Sequence, residues 1–259
     1  MSDLSELKIE SMRDRVSPEE WQTRMNLAAC YRLVHHYGMD DLVYNHISAR
    51  VPGEEGHFLI NAYGMTYDEI TASSLVKIDF DGNIVRDSGT GYGINHAGFV
   101  IHSAVHRGRS DVACVIHTHT PAGMAVSAMK CGLLALTQNA MFFSGVGYHD
   151  YEGPAVDLDE QRRLVADLGS HAAMVLRNHG LLAVGATIPE AFITMYWLER
   201  ACQAQALAMA SKADLIHPSS ETVLKANDRY KPGQRRRIGE LEWAGLLRLL
   251  ERRYPGFRD

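Results

Sequence analysis

The sequence predicts a single α/β domain in which helices cover a mixed sheet. Strand-like and helix-like segments interleave along the chain without a long linker or an internal repeat. The length of 259 residues allows one large domain with a substantial core. Hydrophobic residues make up 46% of the chain and charged residues 22%, as in ordinary globular proteins.

The first predicted helix has clear start and stop signals. Residues 1–16 are charged and lack apolar periodicity, so we expect a flexible N-terminal arm. Ser17 then suits an N-cap, Pro18 suits the first turn, and Glu20 completes a capping box. Gly38 is expected to end this helix.

Short strands are predicted between residues 43 and 86, in the segments VYNHISARV, HFLINAYG and SLVKIDFDGNIV. The Asp-Gly pair in FDGNI predicts a hairpin turn. A helix from about Asn95 to Arg107 and the strand VACVIHTH follow.

The second half continues the alternation of helices and strands. A helix begins at Pro121, VDLDEQRRLVADLG forms another, and HAAMVLRNHG and LLAVGAT are strand-like. The longest helix begins at a capping box from Thr187 to Glu190. We assign residues 17–211 to the domain and residues 212–259 to a C-terminal extension with a final helix, which we expect to pack on the domain or on a neighbouring subunit.

The composition argues against several classes of function. The net charge of −5 argues against a nucleic-acid or anionic-membrane partner. No apolar run reaches the roughly 18 residues of a membrane span, and the N-terminal segment lacks the apolar core of a signal peptide. The four cysteines lack CxxC spacing and are predicted to be reduced, buried thiols of a cytoplasmic protein: Cys30, Cys114, Cys131 and Cys202.

Three histidines are candidate metal ligands. His117 and His119 end an apolar strand, and strand alternation places them on one face, where both can reach a single zinc ion. His179 also follows an apolar strand and precedes a glycine. The alternative interpretation is a set of hydrogen-bonded histidines in the core.

The segments CVIHTHTPAGMAVSAMKCG, GLLALTQNAM and VLRNHGLLAVGATIPEAF resemble the class II aldolase/adducin family. The resemblance runs from about Trp21 to Met209 and is closer to the adducin-like branch than to the sugar-phosphate aldolases. It implies a three-layer α/β/α domain around a mixed, largely antiparallel sheet, commonly in a homotetramer. It also implies a divalent metal, usually Zn²⁺ with Mn²⁺ or Fe²⁺ as alternatives, on His117, His119 and His179.

The family resemblance also implies a catalytic glutamate nineteen residues before the first metal histidine, where it shuttles a proton. That position is Gly98, and no glutamate lies between Glu69 and Glu152. Because a general base typically contributes about 10²- to 10⁴-fold to the rate, its absence bears directly on activity.

Several residues are candidates to replace this carboxylate. His96 lies two residues from the vacated position. His102 and His106 share one helical face, although a buried contact between helix and sheet is the alternative interpretation. Further candidates are Tyr148 and His149 in a predicted loop, and Tyr254 in the C-terminal tail.

Two loops that surround phosphate in the family's sugar-phosphate aldolases are altered. Tyr44 replaces the usual glycine of the first loop, which also contains Asn45 and Ser48. In the second loop, Asn95 precedes positions where serines are expected. We therefore expect Asn45, Ser48 and Asn95 to bind a substrate that carries no phosphate.

Three functions remain open at this point. The first is a metal-dependent lyase that performs retro-aldol cleavage or decarboxylation on a small, unphosphorylated hydroxy- or oxo-acid. The second is a non-catalytic scaffold or binding domain, as in adducin. The third is an oxygenase with iron on the same histidines, because imidazole binds iron as well as zinc.

Overall fold

The fold is described from a computed structural model, which covers residues 9–143, 145–153, 158–229 and 237–259. The helices in these ranges are α1 (Pro18–His36), α2 (His96–Gly108), α3 (Pro121–Ser127), α4 (Gln138–Met141), α5 (Leu158–Leu168), α6 (Ile188–Ala210), α7 (Ser220–Asp228) and α8 (Glu240–Arg253). The strands are β1 (His46–Arg50), β2 (His57–Asn61), β3 (Leu75–Asp79), β4 (Ile84–Arg86), β5 (Cys114–Thr118), β6 (Gly147–His149), β7 (Ala173–Leu176) and β8 (Gly180–Gly185).

The described strands form a single mixed sheet in the order β4-β3-β2-β1-β5-β8-β7-β6. All neighbouring pairs are antiparallel except β6 with β7, which are parallel. The prediction of a mixed, largely antiparallel sheet is therefore confirmed. The hairpin predicted at FDGNI joins β3 to β4, and the Asp79 carboxylate accepts hydrogen bonds from the Asp81 and Asn83 amides across the turn.

Helices cover both faces of this sheet. Helix α2 packs against α5 and β1, and α5 also contacts β6 and β7. Helices α1, α3 and α6 pack together and contact the central strands, while α8 lies on α1 and α6. The hydrophobic core lies between the sheet and these two helical layers. This arrangement confirms the predicted three-layer α/β/α architecture.

The local start and stop signals act as the sequence predicts. The Ser17 hydroxyl accepts a hydrogen bond from the Glu20 amide at 3.1 Å, and Thr187 accepts one from the Glu190 amide at 3.2 Å. These caps satisfy amide groups that have no partner within the helix. Gly38 follows the end of α1 with a φ of 65°, a left-handed conformation that favours glycine.

Both ends of the described chain contact the domain. The Met12 amide donates to the Ser73 hydroxyl at 3.0 Å and Met12 is buried, so this part of the predicted flexible arm is anchored. Residues 1–8 lie outside the described residues. At the other end Phe257 is buried, and its carbonyl accepts a hydrogen bond from the Ala72 amide.

The cysteine prediction is wrong at one position. Cys30, Cys114 and Cys202 are buried free thiols, and burial raises the pKa of Cys202 to about 12. Cys131 is exposed because it lies in a surface turn after α3. Among the described helices, none combines the length and apolar character that crossing a membrane requires.

A buried ionic network joins α1 to β3. The Glu20 carboxylate accepts hydrogen bonds from Arg24 Nε at 2.8 Å and Lys77 Nζ at 2.7 Å, and Lys77 also reaches Glu54. Arg24 Nη1 donates to the Leu75 carbonyl at 2.8 Å. Burial raises the pKa of Glu20, but hydrogen bonds from Lys77 and Arg24 outweigh it and lower the pKa overall. This carboxylate is therefore charged at neutral pH.

We expect Glu20→Ala to lower the free energy of unfolding by about 3–5 kcal/mol, because Arg24 and Lys77 would lose the buried carboxylate between them. Denaturant unfolding at pH 7 measures this effect. Because the folded-state pKa of Glu20 is lowered, its contribution is present at neutral pH and disappears as the pH falls. Glu19→Ala is the matched control, since Glu19 is exposed in the same helical turn. Equal stability of the two variants would contradict the prediction.

Candidate metal centre

Strand register brings the predicted histidine ligands together at one end of the central strands. His117 pairs with His46 of β1 on one side and with Leu182 of β8 on the other. His179 arrives through the short turn between β7 and β8. In that turn Asn178 has a φ of 55°, and a Cβ on Gly180 would lie 2.3 Å from the Thr118 carbonyl oxygen. Glycine is therefore required where this turn approaches β5.

The three imidazoles point at one another through their Nε2 atoms. His119 Nε2 lies 2.8 Å from His117 Nε2 and 3.0 Å from His179 Nε2. The candidate ligand atoms of His117, His119 and His179 all lie within 4.8 Å of one another. The structure thus brings together the residues that the sequence marks as metal ligands.

The hydrogen bonds behind these imidazoles determine which nitrogen carries the proton. His117 Nδ1 donates to the Leu181 carbonyl oxygen at 2.9 Å, and His119 Nδ1 donates to the Asp41 carboxylate at 3.1 Å. A neutral imidazole that donates from Nδ1 has a lone pair on Nε2. Converging lone pairs repel one another unless a cation lies between them. The donor set therefore fits a divalent metal.

Burial favours the neutral form that metal ligands require. It lowers the pKa of His117 well below its ordinary value, with neighbouring histidines adding to the effect. Burial, with a smaller contribution from His119, lowers the pKa of His179 to about 4. Both imidazoles are therefore uncharged at pH 7, the state that binds zinc.

A cleft of about 320 Å³ opens above the histidines. Its wall includes the tyrosines Tyr44, Tyr63 and Tyr151, together with Asn95 and His46. The ring centre of Tyr151 lies 5.9 Å from that of His179. Among the described lining residues there is no carboxylate, lysine or arginine. The wall therefore offers neutral hydrogen-bonding groups beside the candidate metal ligands.

The predicted substrate-binding residues lie in different environments. Asn95 lines the cleft. Ser48 is completely buried, and its hydroxyl contacts His102 and His106 rather than lining the cleft. Asn45 is also buried, and its side-chain amide has no hydrogen-bond partner in the described part of the chain.

Two of the predicted acid–base residues do not reach the cleft. His96 is exposed at the start of α2, and its ring packs near Phe99. Tyr148 belongs to the edge strand β6 rather than to a loop, where its hydroxyl accepts a hydrogen bond from the Leu133 amide at 3.0 Å. The Arg177 guanidinium covers its ring at 4.3 Å. Both side chains are therefore held by other contacts.

The remaining candidates are also engaged elsewhere. His102 and His106 are buried and bonded to Ser48, which is the helix–sheet contact that the sequence leaves as an alternative. His149 is buried and bonded to the Asp167 carboxylate at 2.8 Å. Tyr254 packs against the rings of two adjacent histidines of α1, His35 and His36.

The sequence prediction missed four residues around the cleft: Asp41, His46, Tyr63 and Tyr151. For His46 a signal was available, because strand alternation places it on the same face as Ser48. Asp41 reaches His119 across a separation of 78 residues. No local pattern in the sequence indicates such a contact.

Known proteins share both the sequence and the fold. Residues 25–206 match the Class II Aldolase and Adducin N-terminal domain. An aldolase II superfamily protein from Pseudomonas syringae is 50% identical with a TM-score of 0.89, covering 96% of this chain and 100% of that chain. An L-fuculose 1-phosphate aldolase from Glaciozyma antarctica is 28% identical with a TM-score of 0.80, covering 90% of each chain. Alpha-adducin of Mus musculus is 41% identical, over 91% of this chain and 35% of adducin.

These matches confirm the resemblance found in the sequence. The matched residues 25–206 run from α1 into α6 and include the whole histidine cluster. The chain therefore belongs to the class II aldolase and adducin N-terminal domain family.

Proposed function

We propose that this protein is a metal-dependent lyase that acts on a small, unphosphorylated hydroxy- or oxo-acid. The convergence of three imidazoles below an open cleft carries this proposal. His117, His119 and His179 would hold the divalent metal, with zinc as the first candidate and manganese or iron as alternatives. When bound, the ion supplies Lewis-acid polarisation of a substrate oxygen.

The lining of the cleft supports a small substrate without a phosphate group. Tyrosine hydroxyls and the Asn95 amide can donate hydrogen bonds to carbonyl or carboxylate oxygens. A phosphate group carries more charge and is commonly bound by arginine or lysine. Since neither residue lines the described part of the cleft, a carboxylate or carbonyl is the better match.

The same lining favours decarboxylation over retro-aldol cleavage. Retro-aldol cleavage begins when a base removes the hydroxyl proton, and the described wall contains no carboxylate for this role. In decarboxylation of a 3-oxo acid the bond between the carboxylate carbon and the α carbon breaks, its electron pair forms a carbon–carbon double bond, and the carbonyl π pair moves onto the carbonyl oxygen. Carbon dioxide leaves, and a proton from water or a tyrosine hydroxyl later returns to carbon. No base is needed to start this sequence.

A non-catalytic binding domain is the second candidate function. It is supported by the 41% identity to alpha-adducin and by the absence of a carboxylate from the described cleft wall. The presence of the histidine cluster favours the lyase, because a scaffold has no need for three converging imidazoles.

We expect about one zinc, manganese or iron ion per chain in untagged protein, because three imidazole nitrogens converge on one position. The double variant His117→Ala/His119→Ala should lose this ion. Metal content is measured by mass spectrometry. Metal-dependent release of carbon dioxide, pyruvate or an aldehyde from a panel of hydroxy- and oxo-acids then tests the reaction.

The control for this variant is His171→Ala/His217→Ala, which removes two histidines outside the cluster. Absence of stoichiometric metal, even after incubation with excess ions, would refute the lyase and favour the binding domain. Oxygen consumption that depends on ferrous ion would instead identify an oxygenase.

We expect Asp41→Asn to weaken zinc binding by about 10- to 100-fold, because the hydrogen bond to the Asp41 carboxylate orients the His119 ring and fixes its tautomer. Competition with a zinc chelator measures the affinity. Asp40→Asn is the matched control, since the adjacent Asp40 carboxylate bonds His35. Equal affinities in the two variants would show that the bond to Asp41 has no role in metal binding.

We also propose that the protein is a cytoplasmic homotetramer. Free cysteines suit a reducing compartment, and large apolar side chains remain exposed at the end of α6 and beyond it: Leu207, Ile216 and Leu224. Light scattering on purified protein should give about four times the chain mass of 28.8 kDa. A mass equal to one chain would refute the tetramer.

A further inference from the structure

A buried chain of hydrogen bonds runs from α2 to the cleft. His106 Nε2 lies 2.8 Å from the Ser48 hydroxyl, which lies 2.5 Å from His102 Nδ1. His102 Nε2 in turn lies 2.8 Å from His46 Nδ1. All four side chains are at least 96% buried, since His46, the most accessible, is 4% exposed. This series of hydrogen bonds therefore ends at His46, which lines the cleft.

His46 presents its free nitrogen beside the candidate metal ligands. Its ring centre lies 5.1 Å from that of His117, and it lines the cleft. His46 Nε2 has no hydrogen-bond partner among the residues that the structure describes. A substrate in the cleft can therefore contact this atom.

The His46 ring also occupies the space beside Gly98. A Cβ at position 98 would lie 2.2 Å from His46 Cδ2 and 2.5 Å from His46 Nε2. The glutamate implied by the family resemblance would begin at that point. The two side chains are mutually exclusive in this structure, and the imidazole edge takes the position that the carboxylate would need.

The hydrogen bonds couple the tautomer of His46 to the proton positions of Ser48, His102 and His106. The described side-chain hydrogen bonds of these three buried rings go to one another and to Ser48, and none goes to a carboxylate, so each ring is neutral and carries one proton. Three neutral imidazoles and one hydroxyl can donate in only two consistent directions along the chain. In one direction His46 Nε2 carries hydrogen, and in the other it carries a lone pair. Because donors and acceptors alternate along these hydrogen bonds, His46 changes tautomer only when the other groups reverse with it.

We propose that His46 is a substrate-contacting residue in place of a side chain at position 98, and that Ser48, His102 and His106 are positioning residues that hold it in one tautomer. This proposal rests on the proposed function for the identity of the substrate. The arrangement of His46, Ser48 and the two helix histidines is independent of whether a metal is bound. The proposed role of His46 and the proposed lyase function can therefore be refuted separately.

Magic-angle-spinning NMR of protein labelled with ¹⁵N-histidine tests the tautomer, with the His46 signals assigned by their loss in His46→Asn. We expect one His46 tautomer in the metal-free wild-type protein. Ser48→Ala should give a mixture, because the hydroxyl that links His102 to His106 is removed. Ser103→Ala is the matched control: this buried serine of α2 bonds Gln161 and the Val100 carbonyl, and should leave the His46 signals unchanged.

Oxalate added to the zinc-loaded protein tests the contact with substrate. We expect oxalate to shift the His46 Nε2 resonance, and we expect His46→Asn to lower kcat on the order of 10²-fold once a substrate is known. The proposal is overturned if the spectra show both His46 tautomers in the wild-type protein. It is also overturned if oxalate leaves the His46 signal unchanged while zinc is bound. If the protein binds no zinc but His46 still has a single tautomer, the result refutes the proposed lyase and not the positioning of His46.

Discussion

The antiparallel pairing of β5 with both of its neighbours is the constraint on which the rest of the centre depends. This strand is buried along its whole length, and it pairs with β1 and β8 at defined register. A slip of one residue would turn His117 to the opposite face of the sheet. The same slip would separate it from His46 and His179. Apolar packing of this strand therefore fixes the positions of the polar groups at its end.

Two buried polar clusters differ in charge. Around Glu20, the carboxylate is kept charged by Arg24 and Lys77, and the cluster joins α1 to the sheet. In the histidine cluster, His117 and His179 are neutral, because burial lowers the pKa of each imidazole below its ordinary value. A neutral cluster can present lone pairs to a cation without carrying positive charge of its own. This difference separates a cluster suited to stability from one suited to binding.

The family includes both aldolases and adducins, so the fold does not decide between catalysis and binding. The side chains of the cleft carry that distinction. The histidine cluster offers candidate ligands for a metal ion. The described wall of the cleft, in contrast, lacks a carboxylate that could move a proton. His46 fills the space beside Gly98. Chemistry in this cleft would therefore depend on imidazole, tyrosine and amide groups.

The sequence by itself determined the features that depend on neighbouring residues. These are the helix caps at Ser17 and Thr187, the β3–β4 hairpin, and the alternation that places His117 and His119 on one face. Only the tertiary structure decided which distant groups meet, because strand register and helix packing are set by the whole core. Ser48 illustrates the difference: its local pattern suggests a substrate loop, but packing of α2 on β1 brings a histidine 54 residues away onto its hydroxyl.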